Sequence, residues 1–156
     1  RKKPKASKKK GWEMYKQKQY NSSTKEYETV TKYKKVYYQE YQGNNSVTIT
    51  VEYKLISTET GEILATNLIT DKREDFVNYI TFDGNTKNLH SGSWDYKLIA
   101  NETDLVNTSY SDRKKVQNLL KANKNLRSTE DLKNIALKNV SSSAVAEINA
   151  YNPEED

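Results

Sequence analysis

Few side chains in this sequence could perform catalysis or hold a metal ion. His90 is the only histidine and the chain has no cysteine, so a zinc site of the usual kind cannot be built. A histidine acts as a general base only beside a nucleophile and an orienting group, which sequence cannot place. Because His90 lies among Gly, Ser and Asn residues, we expect an exposed loop histidine.

The acidic residues do not show the spacings that catalytic and metal-binding carboxylates require. Three close pairs occur: Glu59 with Glu62, Glu74 with Asp75, and Glu130 with Asp131. The first two are typical of exposed turns, and the third favours a helix N-terminus. Residues 83–85 lack the further ligands of a calcium loop. Since no phosphate-binding Gly-rich loop, nucleophile elbow or Walker-type lysine occurs, we expect no enzymatic activity, metal or cofactor.

Aromatic residues are the remaining candidates for binding, since 12 of the 156 residues are tyrosine. The candidate interaction residues are Tyr33, Tyr37, Tyr41, Trp94 and Tyr96. Exposed tyrosine and tryptophan bind sugars, peptides or single-stranded bases by stacking and partial desolvation. Alternatively, the tyrosines fill a core in a chain that is only 34% apolar.

The net charge of +5 is concentrated at the N-terminus. Seven of the first ten residues are basic and none is acidic, whereas positions 11–156 hold 19 basic and 21 acidic residues. A nucleic-acid interface requires a basic folded part, which positions 11–156 do not supply. Because leading runs of like charge are usually solvated, we expect residues 1–11 to form a flexible arm that is a linker or contacts an anionic partner. The basic residues of this arm are Arg1, Lys2, Lys3, Lys5, Lys8, Lys9 and Lys10.

Strands must position these groups, and the clearest strand covers residues 46–57. Apolar residues there alternate with polar ones, which is the period of a strand with one buried face. Gly61 can supply the positive φ of a tight reversal directly afterwards. A preceding strand over 30–42 and a turn at 43–45 predict a hairpin, and strand addition at the edge formed by residues 30–42 is one expected mode of association.

The remaining elements complete an α+β fold. We predict strands over 62–70 and 75–82, separated by a charged reversal at 71–74. A helix follows from Asp112 to about Leu126, and a second helix starts at Ser128, with an approximate capping box, and runs to about Ala150. The predicted fold is therefore an antiparallel β-meander of four to five strands followed by two C-terminal helices packed on the sheet. The predicted organisation is a basic arm (1–11), a single domain (12–152) and an acidic tail (153–156).

One segment resembles a family of bacterial envelope lipoproteins over residues 47–67. The family includes the curli secretion channel subunit and the lipoprotein activators of penicillin-binding proteins. Its members carry an alternating strand, a Thr/Ser-Gly-Glu turn and an Ile/Val-Leu pair. The matching residues are Val51, Tyr53, Leu55, Ile56, Thr60, Gly61, Glu62, Ile63 and Leu64.

The resemblance implies a bacterial envelope location, in the periplasm or at the outer membrane, with a lipid anchor on a cysteine upstream of these residues. It also implies function by assembly with other envelope proteins or by self-association, as in a secretion or envelope-maintenance complex, without catalysis. Two alternatives stay open: an aromatic-lined module for glycan or peptidoglycan, and polyanion binding through the basic arm. Nucleic acid is not the expected partner, and no functional residue of the family is carried over to this chain.

Overall fold

The computed structural model describes residues 3–151, which form five β-strands and two α-helices. The strands are β1 (Lys5–Asn21), β2 (Glu26–Ile56), β3 (Ile63–Thr81), β4 (Leu89–Ser93) and β5 (Leu105–Val106). The helices are α1 (Tyr110–Lys121) and α2 (Thr129–Ala150). Within residues 3–151, no helix combines the length and the apolarity that crossing a membrane requires.

The five strands form one antiparallel sheet in the order β3-β2-β1-β4-β5. The first three strands are neighbours in chain order, as a meander requires, whereas β4 returns to the other side of β1 and pairs with it only at Gly11–Glu13. An α+β fold with an antiparallel sheet followed by two helices is therefore confirmed. Residues 30–42 belong to β2, which in the strand order lies between β1 and β3 rather than at the edge of the sheet.

Two predicted reversals are absent. Residues 43–45 belong to β2, and residues 71–74 belong to β3. Charged and polar side chains in β3 are tolerated because they form hydrogen bonds with polar side chains in β3 and on the neighbouring strand. Arg73 Nε donates to Asp71 Oδ2 at 2.7 Å, and the hydroxyls of Thr50 and Thr70 meet across β2 and β3 at 3.0 Å.

The expectation of a flexible basic arm is wrong for residues 5–11, which belong to β1. Lys5 to Lys10 pair with residues 37–42 of β2. Backbone pairing and cross-strand contacts, rather than burial, hold this segment, and Lys9 Nζ lies 3.7 Å from Glu40 Oε1. Arg1, Lys2 and the predicted acidic tail 153–156 lie outside the described residues.

The sequence predicted one domain over 12–152, and the structure groups the chain into two compact units. The first, here called the β1 unit, comprises Pro4–Gly43 and Val77–Asn125. Its core contains Ile80, Leu89 and Val116, against which further side chains pack. The latter are Val36, Tyr38, Phe82, Leu119 and Leu120. Burial of the Tyr38 phenol raises its pKa above the ordinary tyrosine value.

The second unit, here called the α2 unit, comprises Asn44–Phe76 and the segment that starts at Leu126. Its β2–β3 turn has the predicted Gly61 at φ +74°, and the Gly61 amide donates to the Ser57 carbonyl at 2.9 Å. In α2, Leu132, Ala136 and Val140 are buried at helical spacing, whereas Ile148 near the C-terminal end is exposed.

Candidate functional site: a lysine and aromatic face

Strands β1 and β2 separate their charges between the two faces of the sheet. They pair without a bulge from Lys5 opposite Gln42 to Asn21 opposite Glu26. Successive side chains of a strand point to opposite faces, so even-numbered residues of β1 share a face with odd-numbered residues of β2. That face, here called the basic face, carries Lys8, Lys10, Lys16, Lys18, Lys35, Trp12, Tyr20, Tyr27, Tyr33, Tyr37 and Tyr41.

No glutamate of the paired segments projects from the basic face. The four glutamates within residues 5–42 lie on the opposite face, at positions 13, 26, 28 and 40. One of them, Glu13, is largely buried there, where it pairs with Lys34 at 3.1 Å and accepts from the Asn85 amide at 2.8 Å. The pleat thus gives one face of this hairpin a purely cationic set of charged side chains.

Three lysines converge on two aromatic rings at the centre of the basic face. The rings of Tyr37 and Trp94 meet edge to face with centroids 5.1 Å apart. Lys8 Nζ lies 3.8 Å from the Tyr37 centroid, and Lys10 Nζ lies 4.8 Å from that of Trp94. Lys97 Nζ lies 4.9 Å from Tyr37 and 5.7 Å from Trp94. Cation–π attraction therefore holds three ammonium groups close together.

A loop over residues 94–104, here called the covering loop, crosses the basic face and is held by Lys35. Lys35 Nζ donates to the carbonyls of Tyr96 and Ile99 at 2.5 and 2.7 Å. It also lies 2.9 Å from Asp104 Oδ2. The hydrogen bond from Lys35 lowers the pKa of Asp104 below the ordinary aspartate value.

The two tryptophans fix the covering loop and the short strands beside it. Trp12 Nε1 donates to the Leu105 carbonyl at 2.9 Å, and Trp94 Nε1 donates to the Gly11 carbonyl at 2.9 Å. Both indoles are buried, and Trp94 is only 3% exposed. Each indole thus contributes apolar packing and also satisfies its own N–H group.

The structure separates the predicted tyrosine row into three different contacts. Tyr37 meets Trp94, whereas Tyr41 stacks on Tyr79 with centroids 4.8 Å apart. Tyr33 packs edge to face on His90 at 5.3 Å. The Tyr96 side chain is exposed, although its carbonyl accepts from Lys35. Of the five predicted aromatic residues, only Tyr37 and Trp94 contact each other.

The expectation that His90 is an exposed loop residue is wrong. It belongs to β4, lies opposite Trp12 of β1 and is buried. Its Nδ1 lies 3.2 Å from the Asn107 carbonyl. Segment 86–93 contains few large apolar residues, so sequence patterning gave no sign that it closes against β1.

The predicted arm lysines divide between the faces of β1. Lys8 and Lys10 project from the basic face, whereas Lys5 and Lys9 belong to the opposite face. Lys3 is exposed and precedes the strand. Sequence reasoning missed Lys35, Lys97 and Asp104. Every even position from 8 to 20 except Met14 is a lysine or an aromatic residue, and this alternation is the signal that could have revealed the face.

The charge of the β1 unit is also larger than the sequence suggested. Its two segments hold 17 basic and 9 acidic residues, because Lys5–Lys10 belong to the folded unit rather than to an arm outside it. Among residues 3–151, no cluster of three or more His, Asp or Glu side chains could hold a metal ion.

The chain was compared with models of known protein families, with curated proteins and with solved structures, and none of them matches it. The resemblance of residues 47–67 to envelope lipoproteins therefore stays an expectation.

Proposed function

We propose that this protein is a non-catalytic binding protein that engages an anionic partner through the basic face. The observation that carries the proposal is the convergence of Lys8, Lys10 and Lys97 over Tyr37 and Trp94. Among residues 3–151, none of these three ammonium groups has a carboxylate oxygen within 4.0 Å. Their charge is thus not neutralised by an ion pair within the described part of the chain.

Binding an anion would relieve the mutual repulsion of these lysines. Like charges held close together raise the free energy of the unbound protein, and a polyanion that contacts several of them lowers it. The rings orient the lysine side chains in advance, which reduces the conformational entropy lost on binding. We expect affinity to come mainly from counterion release, so that it falls steeply with salt.

The same geometry gives less support to a glycan-binding module. A sugar stacks on an open aromatic face, whereas the Trp94 ring is buried. The Tyr37 ring has Lys8 Nζ at 3.8 Å and Lys97 Nζ at 4.9 Å from its centroid. These ring faces are occupied by ammonium groups rather than presented to a ligand.

Two charge-matched triple variants test the proposal. The first variant combines Lys8→Gln, Lys10→Gln and Lys97→Gln, and it removes the three positive charges at the centre of the basic face. The control carries Lys5→Gln, Lys9→Gln and Lys32→Gln, which removes the same charge from the opposite face. Binding of the full chain to heparin is measured by titration over a salt series, with Trp12 and Trp94 as intrinsic fluorophores.

We expect wild-type affinity to decrease steeply with salt. The basic-face variant should lose at least tenfold in affinity and show a smaller salt slope, whereas the control variant should lose much less. Circular dichroism should show the same strand content in all three proteins. Equal losses of affinity in both variants would mean that binding depends only on net charge, which would contradict the proposal. Binding that does not depend on salt would also contradict it.

A second candidate function is assembly with other envelope proteins or with a second copy of this chain. It is favoured by the outer edge of β1, because β4 pairs with β1 only at Gly11–Glu13 and leaves Met14–Asn21 without a strand on that side in the described structure. An added strand would extend the sheet through main-chain hydrogen bonds. Under this proposal, Gln17→Pro should abolish association measured by analytical ultracentrifugation, whereas Gln17→Ala should not.

A further inference from the structure

The tip of the covering loop exposes two neighbouring aliphatic side chains. Leu98 is 95% exposed and Ile99 is 65% exposed, and the adjacent Tyr96 is also exposed. Single exposed apolar residues are ordinary on protein surfaces. A group of adjacent ones at the end of a loop, bordered by cations, is typical of a surface that contacts a partner. Leu98 and Ile99 are here called the aliphatic tip.

The covering loop is held before the aliphatic tip and at its second residue. The Tyr96 carbonyl accepts from Lys35, and the Ile99 carbonyl accepts from the same ammonium group. Lys97 Nζ in turn donates to the Lys35 carbonyl at 2.6 Å. The tip is therefore presented by a loop that is already ordered, so contact with a partner requires little additional ordering.

Cationic and apolar groups meet at this place. Lys97 directly precedes Leu98, and its ammonium group lies over the same rings as Lys8 and Lys10. A shallow pocket between the covering loop and β2 is lined in part by Tyr33, Lys97, Leu98 and Ile99. The surface therefore combines anion-binding groups with aliphatic groups that gain free energy by leaving water.

We infer that the anionic partner is a lipid surface, into which Leu98 and Ile99 insert while the lysines contact the phosphate headgroups. This inference rests on the proposed function and specifies its partner. Anionic membranes attract basic residues near the surface, and aliphatic side chains add affinity by entering the boundary between headgroups and acyl chains. A nucleic acid fits the same surface less well, because the central rings are covered by ammonium groups rather than free to stack on bases.

The test compares vesicle binding with heparin binding in the same variants. Leu98→Ser with Ile99→Ser removes the aliphatic tip, and Leu64→Ser with Leu68→Ser, exposed on β3, is the matched control. Sedimentation is measured with vesicles of phosphatidylcholine alone and with vesicles that contain phosphatidylglycerol. Since both pairs are exposed, circular dichroism should match wild type in each variant.

We expect wild type to bind phosphatidylglycerol vesicles and to bind neutral vesicles at least tenfold more weakly. The tip variant should lose at least tenfold in binding to the anionic vesicles and keep wild-type heparin affinity, whereas the β3 control should keep both. Unchanged vesicle binding by the tip variant, equal binding to neutral vesicles, or binding only to an oligonucleotide would overturn the lipid inference. Heparin binding that is unchanged in the variant with Lys8→Gln, Lys10→Gln and Lys97→Gln would instead count against the proposed function.

Labelling provides a second readout, because the chain has no cysteine. Leu98→Cys carrying an environment-sensitive fluorophore should shift to the blue when anionic vesicles are added. The same fluorophore on Leu64→Cys should show no shift. Equal shifts at both positions, or none at position 98, would contradict insertion of the aliphatic tip.

Discussion

The ammonium group of Lys35 lies 2.9 Å from Asp104 Oδ2, and this pair joins strand β2 to the C-terminal end of the covering loop. The Lys35 side chain is only 9% exposed and that of Asp104 15%. The Asn101 amide also donates to Asp104 Oδ2, at 3.1 Å. Because the same lysine donates to two carbonyls near the aliphatic tip, one side chain determines how the loop crosses the basic face.

Replacement of Lys35 by methionine should destabilise the fold and loosen the covering loop. The change keeps most of the apolar stem and removes the donor to the Tyr96 and Ile99 carbonyls. We expect a loss of about 1–2 kcal/mol in the free energy of unfolding, measured with urea. Hydrogen exchange should become faster at residues 96–101. Lys32→Met, at an exposed position on the other face of β2, is the control, and equal losses in both variants would contradict this role of Lys35.

The Lys35 hydrogen bond also predicts a pH dependence of stability. It lowers the pKa of folded Asp104 below the ordinary value of about 3.9 that applies in the unfolded chain. Ionised Asp104 therefore stabilises the fold above about pH 4, and this contribution is lost as the pH falls through the lower, folded-state pKa. The stability difference between wild type and Asp104→Asn, measured with urea from pH 7 to pH 3, should shrink below about pH 4. Asp83→Asn serves as the control, and a difference that stayed constant down to pH 3 would exclude this origin.

The elements that bury an apolar face were predictable from sequence. The alternation from Val47 to Leu55 lies within β2, and Gly61 makes the bend that follows it. The second helix begins after Ser128 and ends at Ala150, as predicted. In the strand and the helix, apolar side chains recur with the period of the element because one face of the element packs against the core.

Strand β1 and the continuity of β2 and β3 could not be predicted in the same way. Residues 5–10 are almost all polar, and their side chains stay exposed, so hydrophobic periodicity carries no signal there. The segment is a strand because its backbone pairs with β2 along its whole length. The prediction of a reversal at residues 43–45 is wrong because pairing within the sheet overrides the local turn preference of glycine and asparagine.

The candidate site depended on that missed pairing. Tyr37 and Trp94 were singled out from sequence, but their contact with Lys8 and Lys10 requires β1 to lie beside β2. Lys97 reaches the cluster only because the covering loop folds back over the sheet. Such contacts join residues far apart in the chain, and residue types alone do not specify them.

Gly92 should not tolerate a side chain, because β5 and an indole ring lie against it. A Cβ atom there would collide with the Leu105 carbonyl and would lie 2.7 Å from Trp12 Cδ1. We expect Gly92→Ala to lower stability by about 3 kcal/mol, since neither neighbour can move without breaking the β4–β5 pairing or the Trp12 hydrogen bond. Tryptophan emission should shift to the red in the native state. Ser93→Ala, at the next and exposed position, should differ little from wild type; a Gly92→Ala protein of wild-type stability would show that the space is larger than the structure indicates.

The start of α2 depends on the side chain of Ser128, the N-cap residue that the sequence predicted. Its Oγ accepts from the Asp131 amide at 3.1 Å and so satisfies one of the free N–H groups of the first turn. Ser128→Ala removes this acceptor and should cost about 1 kcal/mol in the free energy of unfolding, whereas Ser128→Asp should retain most of the stability because aspartate is also a good N-cap. Urea unfolding followed by circular dichroism provides the measurement. Ser141→Ala, at an exposed position inside the same helix, should have no cost, since alanine has the higher helix propensity; a Ser128→Ala protein as stable as the Ser141→Ala protein would mean that the cap does not contribute to the stability of the fold.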